Sequence, residues 1–152
     1  MSEIIKNVTS ATAMHAFGVR IGERLHGGEC IELVGDVGAG KTTFVKGLAE
    51  GLKISDDVQS PSFTVSRVYA ARDGLRLDHY DFYRLPDPGI LEFEFAESID
   101  DTKVVTVVEW AAVVSDVLSK KRLVLAITPT DETTRRVVIS GDDALIKEVT
   151  SA

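Results

Sequence analysis

The sequence holds a single cysteine, Cys30, among 152 residues. One thiol excludes an internal disulfide and a cysteine-built metal site. Its neighbours Ile31 and Leu33 suggest a buried strand position, where a cysteine acts as a small apolar side chain. No apolar run approaches the roughly 18 residues that a membrane span needs. The opening MSEIIKNVTS has no basic region followed by a long apolar stretch, so no secretory signal is expected. These absences together predict a cytoplasmic protein with no membrane partner. No zinc-binding spacing is present. His15, His26 and His79 are scattered and read as surface or packing residues. Positive charge is also short, with 17 Lys and Arg against 24 Asp and Glu and a net charge of −7. Such a chain repels nucleic-acid phosphates overall. The small clusters Lys120–Lys121–Arg122 and Arg135–Arg136 read as solvated loop charges. RNA, if involved, is expected to be held mostly by a partner protein.

What remains is an ordinary globular balance, 44% hydrophobic and 27% charged, of a length that suits one domain spanning 1–152. Residues 3–9 suit a first strand, and Thr9 or Ser10 a helix cap. Phe17, Ile21 and Leu25 then form one apolar stripe that Gly27–Gly28 end. ECIELVG (29–35) reads as a strand, and TTFVKGLAEGL (42–52) as a helix. Residues 53–61 read as a loop. SFTVSRVYAA (62–71) and LRLDHYDFY (75–83) suit a hairpin turned by Arg72–Asp73–Gly74. Residues 90–99 alternate like a strand but have the Leu and Glu content of a helix; a short helix is expected. KVVTVVEW (103–110) is a near-continuous β-branched run, as in a strand buried on both faces. Strands over 122–128 and 134–140 and a helix from about Asp142 complete the reading. With the glycine-rich segment GDVGAGKT (35–42) between the strand at 29–35 and the helix at 42–52, the fold class that follows is α/β: a P-loop NTPase-like sandwich, with a partly parallel central sheet, some antiparallel strands and helices on both faces.

Between the strand at 29–35 and the helix at 42–52 lies GDVGAGKT. Gly35, Gly40, Lys41 and Thr42 complete the pattern G-x-x-x-x-G-K-[ST], with Gly38 inside it. Glycines let successive backbone N–H groups turn toward phosphate oxygens. The positive end of the following helix points at the same oxygens. Lys41 would bridge the β- and γ-phosphates, the Thr42 hydroxyl would hold magnesium, and Thr43 could reach an α-phosphate oxygen. The loop therefore predicts binding of ATP or GTP with Mg2+. Such a loop needs an acid near the magnesium, usually at the end of a neighbouring buried strand. Glu109, closing the VVTVV run, is the first candidate, and Asp81 the second.

GDVGAGKTTFVKGL, SPSFTVSRVY (60–69), HYDFYRL (79–85) and VVEW (107–110) follow one another along the chain. In that order these four blocks resemble the TsaE family, bacterial P-loop ATPases of threonylcarbamoyladenosine synthesis in tRNA. The resemblance implies that Lys41 and the backbone from Gly38 through Ala39 and Gly40 to Thr43 hold the phosphates. It implies that Thr42 and Glu109 bind magnesium and that Asp81 assists hydrolysis by positioning water or the metal. The Ser60–Thr64 loop would act as a switch, with Ser62 or Thr64 as polar contacts. Ser10, Ala11, Val113 and the Arg135–Arg136 pair look like the parts nearest the base. The family pattern also differs here, with Ala111 after Glu-Trp where proline is common and Thr133–Thr134 where glycine is common. The implied role is that of an accessory ATPase acting on the TsaB–TsaD heterodimer, touching tRNA only indirectly.

Two other functions fit the phosphate loop. A small-molecule or nucleoside kinase would use Arg67, Arg72, Arg76 or Arg84, although no lid segment frames them. A nucleotide-gated binding module would use ATP as a switch with negligible catalysis. A guanine-reading N/T-K-x-D motif is absent, since Thr102–Lys103 runs into Val104–Val105, which disfavours a Ras-type GTPase.

Overall fold

Ser10 begins the first helix because its hydroxyl can accept the N–H of Ala13, at 3.0 Å, from an extended backbone. The computed structural model describes residues 3–36, 40–56, 58, 66–83, 85–119 and 121–150. Seven strands are present among them: β1 (Ile4–Val8), β2 (Cys30–Val34), β3 (Ser66–Ala70), β4 (Arg76–Asp81), β5 (Val104–Glu109), β6 (Arg122–Pro129) and β7 (Arg135–Gly141). Four α-helices accompany them: α1 (Ala11–Glu23), α2 (Lys41–Gly51), α3 (Leu91–Asp100) and α4 (Asp143–Thr150). The strands form one sheet in the order β1-β7-β6-β2-β5-β4-β3. β6, β2, β5 and β4 run parallel, while β3 and β7 pair antiparallel to their neighbours. This is the partly parallel sheet expected from the sequence. Among the described residues no helix is long and apolar enough to cross a membrane.

Alternation along the strands supplies two apolar faces. Val105 and Val107 of β5 join Ile31 and Leu33 under Phe17, Ile21, Phe44, Leu48 and Ile146 of α1, α2 and α4. Val108 and Cys30 face the other way, against Phe95 of α3 and Val114. Every residue of β5 is buried, as its β-branched run predicted. Residues 90–99 resolve as helix: Tyr80, Phe82 and Phe95 pack edge to face and stacked, with centroids 5.1 to 5.8 Å apart. On this same face Arg76 binds Asp78 through two nitrogens, at 2.7 and 2.8 Å. Ser98 donates to Asp78 (2.6 Å) and so accepts from the Tyr80 hydroxyl (2.8 Å).

Some boundaries differ from expectation. α1 stops at Glu23, short of Leu25; Leu25 stays buried as the chain turns through Gly27, whose φ of 102° suits glycine. A 3-10 segment, Ala111–Val117, follows β5 and had no periodic signal in the sequence. Arg122 is not a solvated loop charge. It begins β6 and donates to Glu32 Oε1 at 2.9 Å.

α1 and α2 lie unusually close. A Cβ added at Gly47 would meet the His15 carbonyl oxygen at 2.1 Å, and one at Gly51 that of Val19 at 2.4 Å. From the other side, Gly18 and Gly22 would meet the carbonyls of Phe44 and Leu48 at 2.4 and 2.3 Å. Two pairs of glycines, each spaced four apart, thus let two helix backbones touch.

Cys30 gives a direct check on the packing. It is buried, and that burial pushes its thiol up to about 12. The thiolate is the reactive form. The native protein is therefore expected to resist a thiol reagent at pH 8 and to react fully in denaturant. Rapid native labelling would contradict the buried position.

Candidate functional site

β1, β6, β2, β5 and β4 all end at the same edge of the sheet, and β3 and β7 begin there. The chemistry-bearing residues collect on this edge. β2 delivers Gly35, and α2 starts at Lys41 behind Gly40. Gly40 has φ 105°, a left-handed conformation that glycine adopts without penalty. It also has no side chain, so nothing on the cap residue bonds the first N–H groups of α2. α1 is capped by Ser10, whereas α2 has no side-chain cap, the kind of helix start at which an anion can bind.

Lys41 is the buried cation of the described residues. Its Nζ donates to the Gly35 carbonyl at 2.6 Å, lies 3.5 Å from Glu109 Oε1 and sits 4.7 Å over the Trp110 ring. Trp110 has φ 57° and ψ 52°, a rare conformation for an aromatic residue, and its ring also rests 4.8 Å from that of Tyr83. The turn at Trp110 puts the indole beside the lysine directly after the strand that carries Glu109.

Glu109 Oε2 lies 2.7 Å from His79 Nε2. Burial alone would raise the Glu109 carboxyl. The His79 hydrogen bond and the positive charge of Lys41 outweigh it and hold the carboxyl below the usual glutamate range. Asp81 stands beside Glu109 in the β4–β5 register and accepts the Tyr83 N–H at 2.9 Å. Burial raises its carboxyl above the ordinary aspartate value; the Tyr83 N–H opposes this and the negative Glu109 adds to it.

The structure therefore brings Lys41, Asp81 and Glu109 together, with Thr42 exposed and Thr43 half-buried at the start of α2. The parts linked to the base do not share one cleft. Ser10, Ala11, Gly40, Thr43 and Arg135 line a cleft of about 270 Å³. Val113 lines a different one of about 530 Å³, with Gly35, Trp110 and Ile127. Arg136 is exposed on β7 opposite Asn7 and lines neither, so Arg135 is the arginine at the first cleft. Gly38, Ala39, Arg84 and the Ser60–Thr64 loop lie outside the described residues.

His79 is buried rather than at the surface, and its ring also meets Glu109, a contact the sequence reading did not assign. The usable signal was the strand period: His79 and Asp81 are two apart, so they share the face on which Glu109 lies. Trp110 had no comparable signal. Two of the four arginines that suggested a kinase, Arg72 and Arg76, are engaged elsewhere. The Arg72 guanidinium donates to the carbonyls of Gly22, Glu23, Leu25 and Gly51, and Arg76 is bound to Asp78. Arg76 begins β4 whereas Asp81 ends it, roughly 16 Å of strand away.

Comparison with known proteins bears on this arrangement. The family model described as "Threonylcarbamoyl adenosine biosynthesis protein TsaE" matches residues 8–137. The chain belongs to the TsaE family. The family match takes in every element from α1 to β6, and with them Lys41, Asp81 and Glu109. A relative from Streptomyces coelicolor is 38% identical over 136 residues, covering 84% of this chain and 90% of its own. One from Haemophilus influenzae is 29% identical and covers 100% of this chain and 98% of its own. Both carry the name tRNA threonylcarbamoyladenosine biosynthesis protein TsaE. The crystal structure of YdiB from Bacillus subtilis superposes with a TM-score of 0.78 at 29% identity, over 98% of this chain and 95% of that one.

A magnesium nucleotide suits the residues at this edge. Among the described residues no group of three or more His, Cys, Asp or Glu is arranged to hold a metal alone. Magnesium is commonly held by one or two protein oxygens with waters and substrate phosphates supplying the rest. Thr42 and Glu109 are residues of the kind that could supply such oxygens, and the start of α2, where Gly40 provides no side-chain cap and Lys41 is buried, is compatible with phosphates.

Proposed function

We propose that this chain binds ATP with magnesium at residues 35–43 and hydrolyses it slowly, as an accessory protein of threonylcarbamoyladenosine modification of tRNA. It would act on the TsaB–TsaD heterodimer and meet tRNA only through that complex. The observation that carries the catalytic part is the convergence of buried Lys41 and ionised Glu109 on an uncapped helix start. The family membership and the names of its relatives carry the pathway. The net charge of −7 agrees with a protein partner rather than direct RNA affinity.

Each residue has a task in that reading. Lys41 turns from the Gly35 carbonyl to the β- and γ-phosphate oxygens and offsets charge that develops in the transition state. The amides at the start of α2 bind the same oxygens. Thr42 and Glu109 hold the magnesium, which supplies further charge neutralisation. Asp81, next to Glu109, orients the attacking water. The cleft beside Ser10, Ala11 and Arg135 and the cleft beside Val113 are the two places for the base.

The experiment is magnesium-dependent phosphate release by the purified chain with and without purified TsaB–TsaD. A rate that is low alone and rises with the heterodimer is expected. A rate unchanged by the heterodimer would remove this partner. A rate raised instead by a nucleoside or sugar would favour a kinase, and none under any condition would leave a nucleotide-gated module.

A further inference from the structure

We infer that His79 is a positioning residue for Glu109: it fixes one carboxylate oxygen, Oε2, so that the other, Oε1, is presented to Lys41 and to the magnesium of the nucleotide. The inference rests on the function proposed above for Glu109 as a metal ligand.

The two oxygens of Glu109 are divided between partners. Oε2 lies 2.7 Å from His79 Nε2, and Oε1 lies 3.5 Å from Lys41 Nζ. The last torsion of a glutamate side chain is soft, so an untethered carboxylate samples a broad range of orientations. A carboxylate held through one oxygen does not. The tether is itself rigid: the His79 side chain is 2% exposed, on a strand paired on both sides, with Arg67 of β3 and Val107 of β5 as its register partners.

The other ring nitrogen shows which way the bond points. His79 Nδ1 is buried and has no hydrogen-bond partner among the described residues. A hydrogen there would be an unsatisfied buried donor, so the tautomer that places it on Nε2, aimed at the carboxylate, is favoured. Packing alone does not account for this choice of residue. An apolar side chain would fill the same space without an orphaned nitrogen. Arg67 Nε, on the residue directly across β3, is also buried and unpartnered. Two of the three buried side-chain polar atoms without a partner among the described residues thus belong to one register pair, Arg67 and His79. The arrangement parallels the outer contacts that orient ligands around metal centres.

The test uses the whole chain with His79→Gln and His79→Leu. Glutamine can place an amide N–H where Nε2 stands; leucine fills the space but donates nothing. For His79→Leu, the magnesium concentration needed for tight nucleotide binding should rise by about 10- to 100-fold, the usual cost of losing such a contact. Its calorimetric affinity for nucleotide without metal should stay at the wild-type level, and His79→Gln should restore the magnesium response. Independently of any variant, nitrogen-15 spectra of the wild type should show one slowly exchanging imidazole N–H. That signal should move when Glu109→Gln is introduced. A wild-type magnesium response in His79→Leu, equal impairment of the Leu and Gln variants, or no protected ring N–H would overturn the inference. If His79→Leu does not fold, the His79→Gln titration and the ring N–H decide. If the wild type itself binds nucleotide without regard to magnesium, the proposed function fails, and the ring N–H still reports separately whether His79 holds Glu109.

Discussion

Lys41→Ala is expected to lower the proposed magnesium-dependent ATP hydrolysis by about 100- to 1000-fold, the size of loss seen when one preorganised electrostatic contact to a transition state is removed. The seat of this residue explains why no neighbour can substitute. Its ammonium is buried and held between the Gly35 carbonyl, Glu109 and the Trp110 ring. Arginine should not rescue it, since a planar guanidinium does not fit a position 2.6 Å from a carbonyl in the way a compact ammonium does. The fold should survive, because Glu109 keeps its His79 contact when the lysine is gone. Phosphate release and circular dichroism on the same preparations check both parts. Hydrolysis at the wild-type rate in Lys41→Ala would place the reaction elsewhere.

Gly47→Ala is expected to destabilise the protein by about 1–3 kcal/mol, the range for forcing a methyl into a filled core. The obstacle is backbone, the His15 carbonyl oxygen 2.1 Å from the added carbon, so no side-chain rotation relieves it. Relief requires α2 to move away from α1. α2 begins with Lys41, so the same displacement should lower hydrolysis in whatever fraction remains folded. The surface helix position Lys46→Ala, adjacent in sequence but exposed, should change neither quantity appreciably. Urea unfolding midpoints compare the two variants. A Gly47→Ala protein as stable as wild type would mean that the helices are not packed backbone to backbone.

How far this arrangement could be read from the sequence depended on whether the cause was local. α2 was expected at 42–52 and runs over Lys41–Gly51, because a glycine-rich loop after an apolar strand dictates both its start and its direction. The Ser10 cap and the buried β5 run were equally local. The glycine contacts between α1 and α2 were not: Gly18 and Gly22 have the same spacing as Gly47 and Gly51, but their meeting is a property of the packed pair. His79 was missed because β4 is buried on both faces from Leu77 onward, so polar and apolar residues no longer mark its two sides. The 3-10 turn after Trp110 was missed because one residue in a left-handed conformation, rather than any periodic pattern, starts it. The residues associated with the base split between two clefts because their relation is set by where β6 ends and β7 and α1 begin around the loop.

The measurement closest to the central claim is a titration of the purified chain with a non-hydrolysable ATP analogue, with and without magnesium, followed by calorimetry and by tryptophan fluorescence. Trp110 is the single tryptophan of the chain, and its ring faces the Lys41 ammonium. The account predicts saturable binding that tightens with magnesium, a change in Trp110 emission as Lys41 turns to the phosphates, and loss of both in Lys41→Ala. Binding that leaves Trp110 silent and is equally tight in Lys41→Ala would contradict it.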